Sequence, residues 1–398
     1  TMTRRLLRPA RLLPWTRMMA LTLLVTAGFI SCDHAEIGIF ASIEQERKIE
    51  DERELPNAIT VSGITELDGF YYISAPTIYR RSTSNTTDGA LSEWGAVDGP
   101  TPDQQNVSLV RFGDETNGEL VAVFASGDGT THRLYRRGAA DSAWTEVDLG
   151  TISGQLSLMT ASSDPGTVFL TVVEGANDNR VYITSDLQTF DQVLDGGGDP
   201  LSSPTPFLDV AYDGTAYWLA SRAVLATGAD PTASTTDATA DPGFPETLED
   251  FSGVFYGGAA VSERLFVSTS VGVLGSFTAA AWATTDVVET VGDDVVPYTD
   301  LEFVEGSDGF AAIVVGTDGY GYREVDPDTL EVTVPSRVGN YQSSELATAA
   351  VLSFYVDDSA PDLPTAAPAG VDLLFTGTSS MGLWKSYYEG QAAFWTRE

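Results

Sequence analysis

The sequence predicts an all-β fold, a β-propeller of seven four-stranded blades, and three observations carry that expectation. From residue 57 onward, short runs of β-branched and aromatic residues alternate with Gly, Asp, Ser and Thr turns. No stretch there shows the 3.6-residue apolar period of an ordinary helix. One order of strand types also recurs: an apolar strand, a Gly or Asp turn, a second strongly apolar strand, then a third centred on an aromatic residue or Leu. A fourth strand carrying Trp or Phe often follows.

In the first copy Tyr71-Tyr72-Ile73-Ser74 leads to Ile78-Tyr79-Arg80-Arg81 and Trp94-Gly95-Ala96-Val97. The second runs Val121-Ala122-Val123-Phe124, Leu134-Tyr135-Arg136-Arg137 and Trp144-Thr145-Glu146-Val147. Val181-Tyr182 with Phe190-Asp191-Gln192-Val193 makes the third, and Tyr217-Trp218-Leu219-Ala220 with Val224-Leu225 a degenerate fourth. Val273-Leu274 with Trp282, Gly321-Tyr322, and Leu383-Trp384 with Phe394-Trp395 complete the series. The anchors Tyr79, Tyr135, Tyr182, Leu225, Leu274, Tyr322 and Trp384 are spaced by 56, 47, 43, 49, 48 and 62 residues. A blade needs roughly 40 to 50 residues, so seven fit. Two unrelated β-sandwiches are the competing architecture, but they do not repeat the order of strand types along with the spacing. The anchors are expected to be blade core. The longer spacings carry insertions: residues 357–370 are Pro- and Ala-rich, and residues 226–243, without a large apolar side chain, are expected to form a surface loop.

The segment before residue 57 has a different character. Residues 1–31 hold Arg4, Arg5, Arg8, Arg11 and Arg17 but no acid, and an apolar run of 13 residues, 18–30, ends at Ser31-Cys32. This is the pattern of a signal peptide, and the run is too short for a hydrocarbon core that needs about 20 residues. Cys32 is the only cysteine of the chain, so a disulfide within it is excluded and lipid attachment is the expectation. Ala27-Gly28-Phe29-Ile30-Ser31-Cys32 resembles a bacterial lipobox in its relaxed, spirochaete-type form, with Phe29 where the common form has Leu. Thr3-Arg4-Arg5-Leu6-Leu7 also resembles a twin-arginine export signal. Residues 32–56 read as lipid anchor and charged tether, with apolar residues only at intervals and Pro56 closing the stretch. Residues 57–398 are left for the propeller.

Removing residues 1–31 takes the five arginines from a total of 21 Lys+Arg and leaves 16 against 57 Asp+Glu, a net charge of −41. A chain this acidic repels nucleic acid. A membrane through the lipid anchor, and a protein or glycan ligand, are the partners expected. The mature part has only two lysines, Lys48 and Lys385; such a surface suits a saline habitat, a cationic partner or plain solubility.

The chemistry available is limited by the side chains. His34 follows the anchor and His132 is the only other histidine, so neither a multi-histidine zinc site nor a thiolate site can be assembled. His132 sits in the polar hairpin Ser126-Gly127-Asp128-Gly129-Thr130-Thr131-His132, an unpromising place for a catalytic triad. Asp195-Gly196-Gly197-Gly198-Asp199 and Asp293-Asp294 lack the spacing of a calcium loop, so no metal and no cofactor is expected. Glycosidase chemistry needs two or three converging carboxylates, which sequence alone does not locate among so many acids. No catalytic residue is assigned, and a non-enzymatic role leads.

Thr184-Ser185-Asp186-Leu187-Gln188-Thr189-Phe190 resembles the Asp box of sialidase-like propellers, without its glycine. The resemblance implies that Asp186 pins an outer-strand turn. The arginine cluster of sialidases, introduced by Arg-Ile-Pro, is missing. Asp326-Pro327-Asp328-Thr329 resembles a hairpin of the propeller lipoprotein that assists outer-membrane protein assembly, with Leu330 in place of glycine. Together the lipobox, Ile39-Phe40-Ala41-Ser42-Ile43, Leu55-Pro56-Asn57 and the Tyr-Arg-then-Trp repeat resemble uncharacterised propeller-like lipoproteins of spirochaetes. That likeness implies address and fold, and no activity.

Function is expected where blades connect. Residues 98–106, 195–206, 292–299 and 336–343 should gather on one face with the loops joining second and third strands, and Tyr298 and Tyr341 are the aromatic candidates for ligand contact. The leading expectation is a cell-envelope lipoprotein that binds a protein or glycan; the alternatives are a glycan-active hydrolase and an envelope assembly scaffold. Carboxylates converging in the central depression favour the hydrolase, and an apolar or aromatic rim without them favours the other two.

Overall fold

The computed structural model describes residues 55–56, 59–83, 93–175, 178–278, 281–285, 288–335, 346–359, 367–368, 370–390 and 392–398. Cys32, the export segment, the tether up to residue 54, and Tyr341 lie outside the described residues.

Four consecutive strands form each blade, in the order of the chain. The first blade contains β1 (Gly63–Leu67), β2 (Phe70–Ser74), β3 (Tyr79–Ser82) and β4 (Gly95–Ala96). The second contains β5 (Gln105–Phe112), β6 (Glu119–Ala125), β7 (His132–Gly138) and β8 (Thr145–Glu146). In the third, β9 (Gln155–Ala161), β10 (Asp164–Gly175), β11 (Asp178–Thr184) and β12 (Asp191–Gln192) are joined by β13 (Ser202–Ser203), which also pairs with β11. The fourth comprises β14 (Phe207–Tyr212), β15 (Tyr217–Ser221), β16 (Leu225–Asp230) and β17 (Ser234–Asp237), and the fifth β18 (Phe251–Tyr256), β19 (Leu265–Thr269), β20 (Leu274–Thr278) and β21 (Ala281–Thr284). A small hairpin, β22 (Thr290–Val291) and β23 (Asp294–Val295), precedes the sixth blade of β24 (Tyr298–Glu305), β25 (Ala311–Thr317), β26 (Tyr322–Val325) and β27 (Val332–Thr333). The seventh is β28 (Val351–Asp357), β29 (Leu373–Thr378), β30 (Leu383–Glu389) and β31 (Ala392–Arg397).

The first strand of every blade neighbours the first strand of the next, and β28 returns to β1, so seven inner strands close a ring. All seven sequence anchors lie in third strands. Tyr135 faces Ala122, Tyr182 faces Leu170 and Trp384 faces Thr376, so large anchors alternate with smaller second-strand partners across the pleat.

The buried apolar residues fall into seven clusters among the described residues, one at each seam between adjacent blades. A blade face therefore has no core of its own and completes one with its neighbour. Phe169 and Phe266 are fully buried in two of these seams; truncating such a side chain to Ala costs about 3–5 kcal/mol. The seventh-to-first seam is built like the others. Val61 N–H donates to Thr378 O at 2.9 Å and Gly382 N–H to Ile59 O at 3.1 Å. Asn106 to Pro76, Glu289 to Gly272 and Gly321 to Ala349 repeat that contact between an interblade connection and a second-to-third-strand loop, so at these four seams the two loop sets share one face; the 336–343 connection lies outside the described residues.

Three details depart from the sequence expectations. Residues 226–243 are not a surface loop: they supply most of β16 and all of β17, with Ala226 and Thr235 buried. The strand is made from small residues because its neighbours bring the bulk, notably Trp218 from β15 with Phe277 and Trp282 from the fifth blade. Leu55, assigned to the tether, is buried with Val61, Tyr71 and Phe375 in the seventh-to-first seam. The 292–299 connection is partly strand, since β23 and the start of β24 lie within it.

Candidate functional site in the central channel

The inner strands enclose a cavity of about 470 Å³ lined from all seven blades, among others by Thr65, Val110, Thr160, Asp209, Phe255, Glu302 and Tyr355. Its special residues arise from a local irregularity. In the second, fourth, fifth, sixth and seventh blades the pairing of the first and second strands slips near the start of the inner strand, as between Asn106 and Ser108 or Phe207 and Asp209. Such a β-bulge re-aims side chains. The bulged residues Val107 and Leu208 stay exposed, Leu208 at the channel wall.

At three seams the re-aimed side chain binds the backbone of the next blade. Ser108 Oγ accepts the N–H of Leu158 at 3.0 Å, Asp209 Oδ2 that of Val254 at 2.8 Å, and Asp300 Oδ2 that of Phe354 at 2.7 Å. The second Asp209 oxygen accepts Val210 N–H at 2.8 Å. Glu302, two residues beyond Asp300 and so on the same face of β24, accepts Phe303 N–H at 3.0 Å.

Asp209, Asp300 and Glu302 are half-buried by surface area because each fronts the channel. Water reaches them there, but the surrounding protein disfavours their charge. Burial raises Glu302 to about 8, helped by the charges of Asp300, Asp209 and Asp372. Burial raises Asp209 and Asp300 as well, with Asp300 adding to the effect on Asp209. At the other end of the inner strands Glu66 is raised to about 7 by burial and by Asp357 and Glu115. The one cation lining the cavity among the described residues, Arg111, donates to Glu66 O at 3.2 Å and Glu115 Oε1 at 2.9 Å.

No protein-family model matches the sequence, and no curated protein matches it either. Solved structures do resemble the fold. An ancestral GH74 enzyme superposes with a TM-score of 0.58 at 10% identity, over 86% of this chain and 47% of that one. The extracellular domain of a putative hybrid two-component system from B. thetaiotaomicron gives 0.54 at 12% identity, over 83% of this chain and 40% of that one. The chain spans less than half the length of either, and at such identities the likeness shows the fold alone.

The residues singled out from sequence are placed differently from the channel acids. Tyr298 opens β24 with its ring 1% exposed in the fifth-to-sixth seam, and its hydroxyl donates to Glu289 at 2.9 Å. The ring is core and not an open loop surface. His132 Nδ1 takes the N–H of Leu156 at 3.0 Å, a contact between blades. Asp186 accepts Gln188 and Thr189 N–H at 2.8 and 2.7 Å, the turn-pinning that the Asp-box resemblance implies. Asp326 repeats it with Asp328 and Thr329. Asp195 accepts Gly197 and Asp199 N–H within its own loop.

Sequence reasoning missed Asp209, Asp300 and Glu302. The signal was present: Phe207-Leu-Asp-Val-Ala-Tyr212 and Tyr298-Thr-Asp-Leu-Glu-Phe303 share an acid two residues after the aromatic that opens the strand.

Proposed function

We propose that the protein is a lipid-anchored propeller of a bacterial cell envelope that binds a protein or glycan partner at the central channel without chemistry. The observation that carries a binding role over catalysis is the equivalence of Ser108, Asp209 and Asp300. A serine at one seam does what the aspartates do at two others, so those carboxyls are accounted for by joining blades. Export and anchoring rest on residues 1–31 and Cys32. Cys32→Ala should abolish palmitate incorporation, and persistent labelling of that variant removes the anchor. For binding, the full chain immobilised in detergent should capture a component of envelope protein or glycan fractions, and Leu208→Glu at the channel wall should weaken capture while thermal stability holds. Undiminished capture by Leu208→Glu and Glu302→Gln alike places the partner elsewhere.

A hydrolase is the second reading, favoured by the convergence of Asp209, Asp300 and Glu302 on one cavity. Its test is release of reducing ends from a panel of envelope glycans by the wild type, lost in Glu302→Gln. No release from any of them excludes it.

A further inference from the structure

We propose that the central channel is a proton-operated lock on two seams: with protons in place Asp209 and Asp300 hold the fourth blade to the fifth and the sixth to the seventh, and ionisation of the channel carboxyls releases those seams to water. The geometry supplies the parts. Each aspartate reaches across a blade boundary from a bulge and takes a backbone N–H of the next inner strand. Both line the same cavity as Glu302, and the charged groups that act on these three are acids, namely each other and Asp372.

Among the described residues the elements packed against β14 and β24 carry one cation, Arg180 of β11, and it is held by Asp178 and Glu174. β9, β19 and β25 carry no titratable side chain, while β10 contributes Asp164 and Glu174, β11 Asp178, Arg180 and Tyr182, β15 Tyr217, β18 Tyr256, and β28 Tyr355 and Asp357. Tyr217 is bonded to Asp164, Tyr355 to Glu66, and Asp357 to Tyr71. Arg111 is occupied by the Glu66 carbonyl and Glu115. Charge developing on Asp209, Asp300 and Glu302 therefore meets like charge across the shared cavity, and what relieves it is separation of the inner strands that carry the three groups. The second-to-third seam is a built-in control. Ser108 makes the same bond to Leu158 and has no proton to lose in this range.

Hydrogen exchange on the full chain, corrected for intrinsic rates, reads the lock directly at three amides. Between about pH 5.5 and about pH 8.5, protection of Val254 and Phe354 should fall about tenfold or more while Leu158 holds. In an Asp209→Asn/Asp300→Asn double variant the side-chain oxygen still accepts but carries no charge, and protection at Val254 and Phe354 should become independent of pH. An equal fall at Leu158, or a double variant that keeps the wild-type response, overturns the proposal. Should the double variant not fold, Glu302→Gln decides: a reduced response at Val254 and Phe354 supports the lock, and an unchanged one overturns it.

Discussion

Two regions of the ring bury acidic side chains in opposite ways. At the seventh-to-first seam Glu398 is buried with Arg81 bonded to one oxygen, Lys385 at 2.7 Å from the other, and Trp94 Nε1–H at 3.1 Å. Arg81 also lies over the Trp94 ring, 5.1 Å from its centroid. Around the channel, Asp209, Asp300 and Glu302 have backbone N–H groups for partners and, among the described residues, no paired cation. In the first region the flanking cations hold the Glu398 carboxyl below its usual range although burial works against them; in the second, backbone N–H bonds offset burial only in part and the carboxyls rise. A buried acid thus takes its protonation state from the charge of what it is bonded to, not from depth alone.

Breaking the compensated region should have the largest effect. Glu398→Ala removes the carboxylate that Arg81 and Lys385 share, and a loss of up to about 3–5 kcal/mol is expected in chemical denaturation, as when one partner of a buried pair is removed. A loss below about 1 kcal/mol would mean that water reaches the cluster.

The two regions should also fail at opposite ends of the pH scale. Glu302 has a folded value of about 8 against an ordinary 4.5. Between those values the folded state keeps a proton that the unfolded chain has lost, so its contribution is full in acid and disappears as pH rises toward 8. Glu66, at about 7, and Asp372, at about 6, act in the same direction. Glu398 is lowered, so its contribution is present at neutral pH and is lost as pH falls below the ordinary carboxylate range. Melting temperature should peak in mild acid and drop by several degrees toward about pH 8. Glu398→Gln should blunt the acid limb and Glu302→Gln the alkaline one; a single limb altered by both variants would merge the two regions into one.

Asp209→Ser sharpens the comparison with a smaller change. Serine holds the equivalent bond at Ser108, so the variant should fold with stability altered by about 1 kcal/mol or less and should lose part of the alkaline limb. Smallest is Asp186→Ala, which frees two N–H groups to water on an exposed turn and should cost about 0.5 kcal/mol with no effect on either limb of the pH curve.

How much of this was legible in the sequence follows from what each residue contacts. The anchors were legible because a third strand needs a large side chain at one register, and a large side chain stands out among Gly, Ser and Thr. The outer half of the fourth blade was not, because Ala238 fills space set by Trp218 and the fifth blade, Ala226 packs toward the third and Thr235 bonds the Leu194 carbonyl, relations that no local pattern encodes. Second-strand ends offered a marker that went unused. Thr269, Thr317 and Thr378 are fully buried, and each donates to the carbonyl four residues on, closing the turn into the third strand. The channel acids were hidden by number: among 57 carboxylates, convergence depends on the curvature of the ring, which strand patterns do not specify.

The order of strands has a mechanical consequence. Among the described residues every blade is contiguous in sequence, each made of four consecutive strands. Six seams are therefore crossed by the polypeptide, and the seventh, between residues 59–61 and the β29–β30 turn, is crossed among the described residues by hydrogen bonds, packed side chains and the Glu398 cluster. Pulled from its two ends, the ring has one place to open, and the resisting bonds there are loaded side by side or not at all. The buried lysine and arginine sit where the covalent thread is missing.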